Sequence, residues 1–200
     1  MLRGETAEAR STLIQGIENS GKSFYRFHAE LHLYEGNYVS AAQQIEFATE
    51  QEFNDLQESD GEAFLVKAKI YRHAGLADLA RDNFNHAKAY FEAELEKNPE
   101  SYFIYSKLGL AHAGLGNKQQ ALEYGQKVFK LASQNYSAVN FPFILYDMAV
   151  TYTLCDDKES ALNTLKELMA THSLYTLEFI KIDPDLKPLL TEPGFKDLNP

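Results

Sequence analysis

Gly16 to Ser23, GIENSGKS, matches the phosphate-binding pattern G-x-x-x-x-G-K-[ST] in full. Such a loop wraps nucleotide phosphates in backbone N–H groups. Its lysine, here Lys22, reaches the terminal phosphates, and its hydroxyl, here Ser23, ligates Mg²⁺. FILYD, residues 143 to 147, has the form of an apolar strand ending in the aspartate that completes such a metal site. That chemistry needs a strand ahead of the loop and a parallel sheet around it. The residues before Gly16 instead have helical spacing and no other stretch reads as a convincing strand, so the segment is expected to be a turn between helices. A nucleotide-binding protein using Gly16 to Ser23 is the alternative function, and an anion held at the helix N-terminus near Lys22 is its weaker form.

His28 and His32 stand four residues apart, which puts both imidazoles on one helix face, as two metal ligands would need. HAELH is not H-E-x-x-H, and no third ligand is evident, so the two are expected to pack. His73, His86, His112 and His172 have no partner by spacing, and no Ser/His/Asp or Cys/His order is supported by a local motif. Cys155, the single cysteine, precedes Asp156 and Asp157, which disfavour a thiolate, and reads as an inert thiol in a reducing compartment. The chain is therefore expected not to be an enzyme and to need no cofactor or metal.

A repeat positions all of these residues. Tyr102 to Leu131 reads as a helix, a turn at Gly116 and a second helix, with small or aromatic residues at Tyr105, Leu108, Gly109, His112, Ala121, Gly125 and Val128. Gly4, Gly36, Gly75, Gly116 and Asp156 are each followed five residues later by Ala9, Ala41, Ala80, Ala121 and Ala161, and these alanines lie 32, 39, 41 and 40 residues apart. Upstream of the last four turns the positions also agree. Ala29, Ala68, Gly109 and Ala149 stand seven residues before, and His32, Tyr71, His112 and Tyr152 four before. Self-similarity at this period indicates helix pairs that bury their apolar faces by stacking.

The pattern resembles the tetratricopeptide repeat, most closely over residues 102 to 131. It departs at His28 and Lys67, where that family usually has leucine, at Gly125, and in a period near 40 rather than 34. The extra residues predict longer second helices, clearest in Ala77 to Lys97. The resemblance implies an all-α right-handed superhelix: an orphan half-repeat (1–21), repeats over 22–60, 61–101, 102–141 and 142–172, and a capping segment (173–200). It also implies a protein–protein interaction scaffold or sensor module of a larger bacterial protein or complex. By position, the first helices would line a concave groove with Arg26, Glu30 and Tyr34, then Lys69, Arg72 and His73, then Phe103, Ser106 and Leu110, then Tyr146 and Val150. Charged residues dominate one end and apolar ones the other, which suits a mixed-charge or amphipathic peptide or partner helix. The paired clamp that some members use for chaperone C-termini is absent.

Composition agrees with a protein partner. A net charge of −10 argues against nucleic acid, and residues 27 to 66 hold nine acidic side chains with no lysine or arginine. The acidic run from Glu46 to Glu62 is a solvated face or a dock for a basic partner. No run approaches eighteen apolar residues and the N-terminus lacks a secretory core, so a cytoplasmic protein off the membrane is expected. Gly4 to Glu18 aligns with the turn and second helix of a repeat. The array is thus expected to begin in mid-repeat, either as a piece of a longer protein or with the orphan helix as a cap. Its Leu13, Ile14 and Ile17 would favour a homo-oligomer.

Local signals set the expected boundaries. The first helices run over Lys22 to Glu35 and from a Ser59–Glu62 capping box to His73, and Tyr38 to about Phe53 forms one second helix. Asn98-Pro99 reads as an N-cap and first helical residue, and Asp156 to Glu159 as a capping pattern. Pro184, Pro188 and Pro193 break the tail, IDPDLKPLL and EPGFKDL, into short pieces. These resemble the closing segment of many bacterial repeat arrays and should cover the last repeat with Leu186, Leu189, Leu190, Phe195 and Leu198.

Overall fold

The computed structural model describes residues 5–20, 24–55, 59–133, 141–171 and 175–198, and every regular element among them is helical. In order they are α1 (Thr6–Ser20), α2 (Tyr25–Tyr34), α3 (Tyr38–Glu46), α4 (Glu50–Asp55), α5 (Asp60–His73), α6 (Ala77–Lys97), α7 (Tyr102–Gly114), α8 (Lys118–Ala132), α9 (Phe141–Leu154), α10 (Lys158–Ala170) and α11 (Leu177–Ile182). Two 3-10 turns, Lys187–Leu189 and Pro193–Leu198, follow. Helices α2 and α3, α5 and α6, α7 and α8, and α9 and α10 pack as hairpins. Each hairpin also touches the next, α2 meeting α5, α5 meeting α7 and α7 meeting α9, while α3, α6 and α8 lean on α5, α7 and α9.

The four aligned turns share one geometry. Gly36, Gly75, Gly116 and Asp156 have φ of 82°, 76°, 79° and 64°. The next residue's N–H closes each helix, Asn37 onto His32 O at 2.8 Å and Leu76, Asn117 and Asp157 onto Tyr71, His112 and Tyr152 O at 2.9 Å. This is the left-handed closure that satisfies the last carbonyls of a helix, and glycine enters it without a Cβ clash. Five residues on, Ala41, Ala80, Ala121 and Ala161 are buried, as are Ala29, Ala68 and Ala149 on the facing helices. Where Gly109 replaces the alanine, a Cβ would stand 3.6 Å from Ala121 O, so the small residues set the helix separation.

Three boundaries differ from the expected ones. The helix from Tyr38 ends at Glu46 rather than near Phe53, because Thr49 and Glu52 cap each other: Glu52 N–H donates to Thr49 Oγ1 at 3.3 Å and Thr49 N–H to Glu52 Oε2 at 3.1 Å. Asn98 is the C-cap of α6, and Ser101 is the N-cap of α7, accepting from Ile104 N–H. At α10 the capping residue is Asp157, bonded to Ser160 N–H at 3.1 Å, since Asp156 is spent on the left-handed turn. The Ser59–Glu62 capping box is present, and α6 has the extended length.

Gly16 lies within α1, while Gly21, Lys22 and Ser23 are outside the described residues, as are Gly4 and His172. Phe143 to Asp147 is a turn of α9, not a strand. Helix α1 packs on α2 and is tied to its end by Arg10, whose guanidinium meets the Glu35 carboxylate at 2.5 Å. Ile14 is 47% exposed. Phe179, Ile180, Leu186, Leu189, Phe195 and Leu198 are buried in one core with α9 and α10, so the tail covers the last hairpin. Each such side chain contributes roughly 1.5–3 kcal/mol on burial. No helix among the described residues is long and apolar enough to cross a membrane.

Candidate partner-binding cleft

The side chains that α2, α5, α7 and α9 turn toward one another line a cavity of about 160 Å³. Its apolar floor is Leu65, Val66, Leu110, Val150 and Leu154, and its walls carry Glu30, Tyr34, Glu62, Lys69, Arg72, Lys107, Tyr146 and Asp147. Of the residues expected to line a groove, Glu30, Tyr34, Lys69, Arg72, Leu110, Tyr146 and Val150 meet here. Arg26, His73, Phe103 and Ser106 stand outside the lining. Arg26 is buried and pairs with Glu30 at 2.5 Å. Phe103 lies 4.9 Å beneath the Lys107 ammonium. Ser106 is fully buried, its hydroxyl donating to Phe103 O at 2.8 Å.

The basic end of this surface is occupied by the chain's own tail. Lys69 Nζ donates to the Asp183 oxygens at 3.0 and 3.1 Å and to Tyr146 Oη at 2.9 Å, and Tyr146 in turn donates to Asp183. Asp185 meets Lys69 at 3.1 Å, His73 Nε2 at 2.5 Å and the Arg72 guanidinium. Asp183 also accepts from Asp185 N–H at 2.9 Å, so the Asp-Pro-Asp turn is a hook braced from within. The Asp183 and Asp185 side chains are 0% and 3% exposed, and aromatic rings close around them. Tyr146 stacks on Tyr175 at 4.9 Å, and Tyr34 meets Phe179 edge-on at 5.2 Å.

Burial and charge act in opposite directions here. Burial favours neutral Asp185, yet the Lys69 and Arg72 charges and the His73 hydrogen bond outweigh it and hold the carboxyl far below the usual carboxylate range. Burial likewise favours a neutral Lys69 amine, and Asp183 and Asp185 reverse this and raise its pKa well above the ordinary value. Tyr34 and Tyr146 are pushed up, first by burial, and stay protonated as donors. A second, smaller cluster of three charged groups belongs to the same lining. Lys107 meets Asp147 at 2.9 Å and Glu62 at 3.6 Å, and these carboxylates raise its pKa against burial.

Sequence reasoning missed Asp183, Asp185, Lys107, Asp147 and Glu62. One signal was available, because Lys107 and Asp147 each stand nine residues before their turn and so face one another across neighbouring repeats with opposite charge. Elsewhere, burial lowers the pKa of His28 and His32, with Arg10 nearby adding to the effect, and burial raises that of the Cys155 thiol. Among the described residues no group of three or more His, Cys, Asp or Glu is placed to hold a metal ion.

Fold and cleft together define an all-helical array of stacked hairpins whose C-terminal segment is ion-paired into the face made by its first helices. The chain matches no protein-family model, and no curated protein matches it.

Proposed function

We propose that this chain is an interaction module, a tetratricopeptide-like superhelix that receives a segment of a partner protein in the cleft between α2, α5, α7 and α9. The observation that carries this reading is the lining itself: successive hairpins each contribute side chains to one continuous recess with an apolar floor and charged walls. The left-handed turns repeated at Gly36, Gly75, Gly116 and Asp156 support the repeat resemblance. A scaffold or sensor role in a larger assembly follows from that resemblance.

Selection of random 12-residue peptides displayed on phage against the full chain tests the reading. Selected peptides should shift the methyl signals of Leu65, Val66, Leu110 and Val150, and Leu110→Trp, which fills the recess, should weaken them at least tenfold with helicity unchanged. Peptides that bind equally well to Leu110→Trp, or that shift no cleft methyl, overturn it. Reversing Lys69 and Arg72 is a poor test of capture, since it unpairs Asp183 and Asp185.

A further inference from the structure

Lys69 and Arg72 by themselves would attract an acidic group. That role is already filled, because Asp183 and Asp185 saturate them and are held there by the buried Phe179, Ile180, Leu186 and Leu189. An incoming carboxylate would have to displace side chains with almost no solvent contact. What remains open is lined by the carboxylates of Glu30, Glu62, Asp147 and Asp185 against the cations of Lys69, Arg72 and Lys107. Beyond the lining, Arg26 pairs with Glu30 and Asp183 with Lys69, one cation and one anion that leave the balance unchanged. The lining therefore carries one more negative charge than positive among the described residues.

That excess is best reached at Glu62. Its side chain is 24% exposed, its Oε1 lies 3.6 Å from Lys107, a long contact for an ion pair, and among the described residues its Oε2 accepts from the N–H and hydroxyl of Ser59. Beside it lies the apolar floor of Leu65, Val66 and Leu110. A recess with an aliphatic floor and a carboxylate at its wall suits a long aliphatic stem ending in a cation. We propose that the cleft accepts a lysine or arginine side chain of the partner segment, its stem on Leu65, Val66 and Leu110 and its charge at Glu62. This rests on the docking reading above and adds the chemistry of the occupant.

The probes are n-hexylammonium and hexanoate, titrated separately into the full chain with methyl signals recorded. Hexylammonium should shift Leu65, Val66 and Leu110 saturably and bind about tenfold tighter than hexanoate. Glu62→Gln should remove most of that preference, and glutamine still serves the α5 capping box, so the helix start is kept. Hexanoate binding there as tightly as hexylammonium, or neither probe shifting these methyls, overturns the cation preference. The two failures are distinguishable. Hexanoate winning while Leu110→Trp still weakens peptide binding sinks the cation preference alone, whereas phage peptides that avoid the cleft sink the docking reading and the proposed occupant with it, even where hexylammonium still shifts the cleft methyls.

Discussion

Lys69 in α5 and Asp183 after α11 are separated by 114 residues, yet the ammonium donates to both carboxylate oxygens at 3.0 and 3.1 Å. With Asp185 on Arg72 and His73, this joins the second hairpin to the tail that covers the fourth. Removing the Asp185 carboxylate leaves Arg72 without its counter-charge and Lys69 with Asp183 alone. Asp185→Asn is therefore expected to cost about 3 kcal/mol in urea unfolding and to speed proteolysis after residue 175.

The same pairs set a pH window. Asp185 has a depressed pKa, so its contribution is complete above the ordinary carboxylate value of about 4 and is lost as pH falls below it. His28, His32 and His112, all lowered first by burial, start to oppose folding below about 6.5. Lys69 has a raised pKa, so its contribution is complete below about 10.4 and is lost as pH rises further. Burial also raises the Cys155 thiol, so its contribution is lost above the ordinary thiol value of about 8.5. The urea midpoint should be flat from about pH 7 to 8.5 and fall on both sides, and the deficit of Asp185→Asn should shrink toward pH 2.

Asp156 is a non-glycine residue in the left-handed region, at φ 64°. Asp156→Gly relieves a cost of about 1 kcal/mol, and Gly116→Ala imposes a similar one. Thermal melts should move in opposite directions for the two variants.

Two glycines of α7 should respond oppositely to alanine. At Gly109 a Cβ makes ordinary contacts at 3.6 to 3.7 Å, and Gly109→Ala should gain up to about 1 kcal/mol of helix propensity. At Gly114 the Cβ would stand 2.3 to 2.5 Å from the buried Phe84 ring, and Gly114→Ala should lose about 1–3 kcal/mol. Equal shifts would contradict the packing described.

The hairpins were legible because their turns demand particular residues: a left-handed position takes glycine or aspartate, and close helix approach takes alanine. The break after Glu46 was missed, although Thr49 to Glu52 has the form of a capping box. Seven of the residues that the repeat resemblance places in a groove line the cleft. What register could not supply was the tail's return path. Asp183 and Asp185 follow a proline-broken segment outside the repeat, and their partners are set by where α11 lands against Tyr34 and Tyr146, which no local pattern encodes.

A stack of repeats is held mainly by neighbour-to-neighbour contacts, so it can fray from either end as a row of nearly independent units. The Lys69–Asp183 clasp skips past the third hairpin and closes the row on itself. The tail cannot then leave without loosening the second hairpin, and the second hairpin cannot open without freeing the tail. Such a chain is expected to unfold cooperatively, as a ring fastened by a buckle rather than as a ladder that loses rungs.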